Sequence, residues 1–200
     1  MQLNYFDYYV IGINLLGFLL FAVNTWLYRH THNKEIDKVI TTVSFLGGSF
    51  GIAASIMIFA RNEIKSKQKK EIMMSRVFVF SMLVIQIIIF LIIKGHIKNN
   101  ITVNFLVFFD QHRSFLLYLV IINVITLIAF GIDKIKAIKN KRRIRIVTLL
   151  SLAFIGGSIG ALIGMYAFRH KTSTDYFYIG VPLIIVMQAF VIFFLMNVKI

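Results

Sequence analysis

Apolar residues fall into six long runs along this chain, separated by short polar stretches that collect nearly all of its charge. The runs are approximately Tyr9–Tyr28, Val39–Ala60, Val77–Ile93, Phe115–Ile132, Thr148–Phe168 and Phe177–Val198. Each meets or approaches the ~17–25 residues with which a helix crosses the hydrocarbon of a bilayer. The runs are continuous rather than alternating, which excludes barrel strands and leaves helices, since backbone in lipid must satisfy its own hydrogen bonds. Trp26, Tyr28, Tyr166, Tyr176 and Tyr178 fall near the run ends, where amphipathic rings prefer to sit. The pattern predicts an all-α integral membrane protein with six transmembrane helices. One apolar patch, Ile101–Phe109, is too short and is closed off by Asp110-Gln-His-Arg113. Nine helical residues reach only about 14 Å, so it reads as an interfacial or re-entrant piece.

Within the second run, Phe45-Leu-Gly-Gly-Ser-Phe-Gly51 returns in the fifth as Phe154-Ile-Gly-Gly-Ser-Ile-Gly160. Glycine costs about 1 kcal/mol against alanine inside a helix, so this density needs a reason. Glycines at i and i+4 make a flat stripe against which a second helix can pack at backbone distance. Gly47 with Gly51, and Gly156 with Gly160 and Gly164, form such stripes. Gly48 and Gly157 lie off them and are expected to matter less.

The similarity extends beyond the glycines. At a shift of 109, Tyr9 meets Tyr118, Asn14 meets Asn123, Phe21 meets Phe130 and Phe59 meets Phe168, with ten identities over 54 aligned positions. Gln86 meets Gln188 at a shift of 102. This pattern predicts two three-helix repeats, residues 1–100 and 118–200, joined by an interfacial segment over 101–117.

Three spans per repeat would insert the second copy from the opposite side. Lys plus Arg number 0 before the first run, then 3, 6, 3, 7 and 2 in the five loops, and 1 after the last run. Six spans place 14 of these on the side of both termini and 8 on the other, which predicts cytoplasmic termini and an inverted repeat. Loop four, with Lys134–Arg145, is then inside and loop five, with Arg169–Thr172, outside. If Ile101–Phe109 crossed as well, the split would be 13 to 9 and the copies would be parallel.

In the second half, Asn123, Phe130-Gly-Ile-Asp133-Lys134, a basic loop ending Arg142-Arg-Ile144, Ile155-Gly-Gly-Ser-Ile-Gly-Ala-Leu162, Met165 and Phe168-Arg-His-Lys-Thr172 stand in order. Over roughly residues 118–190 this resembles the bacterial membrane family catalogued as domain of unknown function 1294. That family usually carries one copy, sometimes behind a cold-shock domain, so the resemblance implies a fold and little chemistry. The first half departs from the pattern: Asp-Lys becomes Asn24-Thr25 and Arg-His-Lys-Thr becomes Ala60-Arg-Asn-Glu63. The acidic residue the family carries after its basic loop is Asp37 in the first half and is replaced by Ile146 in the second.

The formal charge of +14 sits in short connections beside apolar runs, which points to membrane orientation and anionic lipid rather than to nucleic acid. There is no cysteine, so thiolate metal sites are excluded. The N-terminal flank, with Asp7 and no cation before Arg29, lacks a signal peptide's basic start, so the first run is expected to be retained. Histidines 30, 32, 96, 112 and 170 are scattered, and no catalytic motif, metal set or cofactor motif is present.

Two candidate constellations remain. Asn14, Asn123, Gln86 and Gln188 are the paired polar groups within the runs and would line a symmetric polar pathway, or else form interhelical hydrogen bonds. Arg169, His170, Lys171 and Thr172, with Asp133, Lys134, Arg142 and Arg143, would bind an anion or lipid headgroup, or anchor helix ends by snorkelling. The expected role is that of a small inner-membrane transport or channel-like protein. The alternative is a non-catalytic accessory protein that binds a membrane partner, a second copy or anionic lipid.

Overall fold

A computed structural model describes residues 4–30, 36–59, 69–98 and 100–199, the side chains of 27–30, 36–38, 69–75 and 175 excepted. His32 and Ala60-Arg-Asn-Glu63 lie outside the described residues, and so do the side chains of His30 and Asp37. Among the described residues the chain is helical without strands. Six segments are long and apolar enough to cross a membrane: Tyr5–Trp26, Val39–Phe59, Arg76–Ile93, Arg113–Ile138, Ile146–Ala167 and Tyr176–Asn197. These segments mark the chain as a membrane protein. It divides into two compact units, Met1–Phe90 and Leu91–Ile200.

The first unit holds α1 (Tyr5–His30), α2 (Ile36–Val43), α3 (Ser49–Phe59) and α4 (Lys69–Ile93), the last three residues of α4 counting with the second unit. Between α2 and α3 the turn Ser44–Gly48 widens, and Gly47 takes φ 124° and ψ −4°, outside the helical region. A residue with a Cβ adopts this φ only under strain. The contacts show where the break sends the chain. Tyr9 Oη donates to the Leu46 carbonyl at 2.7 Å, Gly51 N donates to Asn14 Oδ1 at 2.9 Å, and the Phe18 and Phe59 rings lie 6.0 Å apart. As the chain advances from 46 in the turn to 59 at the end of α3, its partners on α1 therefore advance from 9 to 18. The two helices are parallel, so the chain leaving the end of α1 returns to its start before α3 begins. Helix α4 then runs antiparallel to α1, with Gln86 beside Ser44 and Ser49 and Phe90 on Phe6.

The second unit holds α5 (Phe105–Gln111), α6 (Arg113–Ile138), α7 (Ile146–Leu152), α8 (Ser158–Ala167), α9 (Asp175–Tyr178) and α10 (Gly180–Asn197). Its break is the turn Ala153–Gly157, where Gly156 has φ 132° and ψ −12°. Tyr118 Oη donates to the Ile155 carbonyl, Gly160 N donates to Asn123 Oδ1 at 2.6 Å, and His170 Nε2 lies 2.9 Å from Asp133 Oδ2. Partners on α6 thus advance from 118 to 133 while the segment advances from 155 to 170. Helix α8 is parallel to α6, and α7 descends beside it. Tyr118 and Asp133 are separated by about 22 Å of helix at 1.5 Å per residue, so the tip of this fold-back lies most of a hydrocarbon thickness from its base. The chain then returns antiparallel to α6 through α9 and α10, from Phe177 of α9 packed edge-on against Phe130 to Gln188 of α10 beside Ser158 and Ala153.

The expected continuous spans Val39–Ala60 and Thr148–Phe168 are therefore corrected to helical hairpins, each entering and leaving at the same end of its unit. The expected separation of Lys134–Arg145 from Arg169–Thr172 by a membrane thickness is corrected with them, because Asp133 touches both segments. Ile101–Phe109 is no span either. Its helix α5 is seven residues long, started by Asn104 Oδ1 accepting from Val107 N, and its approach is tied to the end of α10. There Thr102 N donates to Asn197 Oδ1 at 2.7 Å and Asn197 Nδ2 donates to the Thr102 carbonyl at 3.0 Å.

Candidate functional site

A helix break inside an apolar segment leaves carbonyls and amides without helical partners, and in hydrocarbon each unmet group would cost several kcal/mol. In the first unit the break is met by side chains. Tyr9 donates to the Leu46 carbonyl and Gln86 Nε2 to the Ser44 carbonyl. Ser49 N donates to Gln86 Oε1 at 3.3 Å, and Ser49 Oγ to the Ser44 carbonyl at 2.9 Å. Asn14 Oδ1 accepts from Gly51 N, while its Nδ2 donates to the Val10 carbonyl of its own helix at 2.7 Å.

The second unit answers its break with the same residue types. Tyr118 donates to Ile155, and Asn123 Nδ2 donates to the Gly156 carbonyl at 2.9 Å and to Leu119 at 2.7 Å. Gln188 Nε2 donates to the carbonyls of Ala153 at 2.7 Å and Phe154 at 3.2 Å, and its Oε1 accepts from Ser158 Oγ. Asn14, Asn123, Gln86 and Gln188 thus direct their polar groups at the hairpin tips. Tyr9, Tyr118, Ser49 and Ser158 join them and were not singled out from sequence, while the buried Thr126 donates to the Ile122 carbonyl of its own helix. The repeat of Tyr9 as Tyr118 was the available signal for the tyrosines.

The glycines divide by role. Gly47 and Gly156 turn the chain. At Gly51 and Gly160 a Cβ would overlap the backbone of Asn14 and of Asn123, so α3 meets α1, and α8 meets α6, at backbone contact. Gly48 and Gly157 are closely packed too: a Cβ at Gly48 would lie 2.7 Å from a Val43 methyl and 2.9 Å from the Ile13 carbonyl, and one at Gly157 would overlap Thr126 Oγ1. The expectation that these two matter less is corrected, because the hairpin brings both faces of the glycine turn against neighbours. Gly164 faces Phe130, with 2.9 Å left to its Cβ.

At the base of the second hairpin, Asp133 is fully buried. Its Oδ1 accepts from Ile144 N at 2.7 Å, and its Oδ2 meets Lys171 Nζ at 2.8 Å and His170 Nε2 at 2.9 Å. Lys171 also lies over the Phe177 ring, 4.7 Å from its centre. The turn that delivers these groups holds Arg169 and Lys171 at φ 44° and 63°, the left-handed region that side chains rarely adopt. One carboxylate thus ties the end of α6, the start of α7 and the end of α8. Arg169, Arg142 and Arg143 are exposed around this tie, and Lys134 is half-buried on α6. Thr172 follows Lys171 in the same turn. Among the described residues no group of His, Asp or Glu is arranged to hold a metal ion.

The model of a protein family of unknown function, DUF1294, matches residues 123–177, from Asn123 through the whole second hairpin to Phe177. The uncharacterized protein YsdA of Bacillus subtilis (strain 168) is 44% identical over 75 residues, which make up 38% of this chain and 84% of that protein. The chain belongs to the DUF1294 family. No solved structure matches. In DUF1294 terms, the matched stretch contains the tip caps Asn123 and Gly156–Gly160 together with the base tie Asp133–His170–Lys171. The family match therefore spans the second of the two hairpins.

Proposed function

We propose that this chain is a transport or channel-like membrane protein for a small ion or solute, built from two copies of one unit inserted in the same sense. The observation that carries this reading is the pair of helix breaks at Gly47 and Gly156, at corresponding places in the two halves. Glycine-interrupted apolar segments in corresponding positions mark the binding region of many transporters, and broken backbone persists at membrane depth where protein or a watery cavity surrounds it. The matched caps, Tyr9 with Tyr118, Asn14 with Asn123 and Gln86 with Gln188, support duplication.

The hairpins support this sense of insertion. Two crossings and one re-entrant hairpin per unit make an even count, which removes the argument for inversion. The connections at the hairpin-base ends then carry 3, 6, 7 and 2 Lys and Arg, 18 together, against 4 for the tail, the middle connection and the C-terminal end. This split is far steeper than the 14 to 8 of six spans, and it favours four crossings with the hairpins entering from the cytoplasm and both termini outside.

One observation favours an accessory, partner-binding protein instead: Asn14, Asn123, Gln86 and Gln188 spend polar groups on the hairpin backbone. Flux measurements on the purified full chain in liposomes, across a panel of inorganic ions and small metabolites, separate the two. Transport predicts flux of at least one species above protein-free liposomes. No flux across the panel, with a protein partner co-purifying in stoichiometric amount, assigns the chain to the accessory class.

A further inference from the structure

We propose that Arg142, Arg143 and Arg145, with Arg169, form a binding surface for the phosphate headgroup of an anionic phospholipid. Asp133 gathers these cations. Its Oδ1 holds Ile144 N, which fixes Arg143 and Arg145 on either side, and its Oδ2 holds His170, which fixes Arg169. All four arginines are exposed, and no acidic partner is described for any of them. Of the acidic side chains described in this unit, Asp133 is buried and occupied by Lys171 and His170, while Asp110 pairs with Arg113 at the other end of α6.

An arginine fork matches phosphate oxygens in two bonds at once and is weakly hydrated, which suits an interface. The surroundings select a lipid over a soluble phosphate. Ile135 and Ile138 at the end of α6 and Val147 at the start of α7, on the helix ends that flank the basic turn, are 53%, 68% and 53% exposed, an apolar surface fit for acyl chains. An amphiphile satisfies both halves of the surface; a free anion satisfies one.

The test uses the full chain purified from detergent into phosphatidylcholine nanodiscs doped with phosphatidylglycerol, followed by extraction and quantification of retained lipid. The wild type is expected to enrich phosphatidylglycerol over phosphatidylcholine. The variant R142Q/R143Q/R169Q is expected to lose about fivefold of that enrichment per cation removed, with its circular dichroism unchanged. K98Q/K199Q, at the other end of the unit, should retain it. Equal retention of both lipids by the wild type, or undiminished enrichment in the triple variant, overturns the proposal. Displacement of the lipid by excess glycerol phosphate also overturns it and assigns the surface to a soluble phosphate.

Discussion

His170 Nε2 lies 2.9 Å from Asp133 Oδ2, on the same carboxylate whose other oxygen accepts from Ile144 N. The apolar segment Ile146–Ala167 runs between Ile144 and His170 and would be about 33 Å long as a straight helix, yet its two flanks meet at one side chain. The segment therefore folds back on itself. The placing of the basic segments at one end of the unit depends on that return.

The carboxylate is expected to be the least replaceable polar group in the second unit. Removing one member of a buried charged pair strands the other, at about 3–5 kcal/mol. Asp133→Ala should therefore lower thermal stability in detergent sharply, whereas Asp133→Asn, which keeps an acceptor for Ile144 N, should cost less. Equal stability of Asp133→Ala and wild type would remove the tie from the account.

Glycine replacements should rank by geometry. Gly160→Ala and Gly51→Ala drive a methyl into the backbone of the facing helix and should lose folded protein. Gly156→Ala and Gly47→Ala add strain from a positive φ, about 1–3 kcal/mol. Gly12, with nothing near its missing Cβ, should accept alanine at no loss or gain up to about 1 kcal/mol from helix propensity. Detergent melting curves of the five variants give the order directly.

The tip caps should act on stability before activity. Tyr118→Phe and Tyr9→Phe each remove one donor from a tip carbonyl and should cost about 1–2 kcal/mol. Asn123→Leu removes bonds to both Gly160 N and the Gly156 carbonyl and should cost more than Tyr118→Phe. If Asn123→Leu leaves melting unchanged while abolishing flux, Asn123 belongs to a pathway rather than to the hairpin.

Much of this was legible in the sequence. The apolar runs located every long helix, and the repeat of Tyr9, Asn14, Gly47, Gly51 and Gln86 at 118, 123, 156, 160 and 188 marked the residues that meet the breaks. The return of the chain was hidden for a physical reason. A hairpin of two short helices and a single span are equally long and equally apolar, so length and hydrophobicity do not distinguish them. The difference lies in one glycine dihedral per unit, and a glycine at i and i+4 from others reads equally well as a packing stripe. The charge pattern did carry the information: His170 and Lys171 have their carboxylate partner 37 and 38 positions upstream, a pairing visible only once both hairpin flanks are placed at one end.

The most direct measurement of the fold-back is the sidedness of single cysteines, since the native chain has none. Asn140→Cys, Thr172→Cys and Asn100→Cys variants of the full chain would be exposed on intact cells to a membrane-impermeant thiol reagent, then again after permeabilisation. Two crossings and a cytoplasmic hairpin per unit predict label at position 100 on intact cells, and label at 140 and 172 only after permeabilisation. Label at 172 but not at 140 on intact cells would place the two flanks on opposite sides and contradict the hairpin.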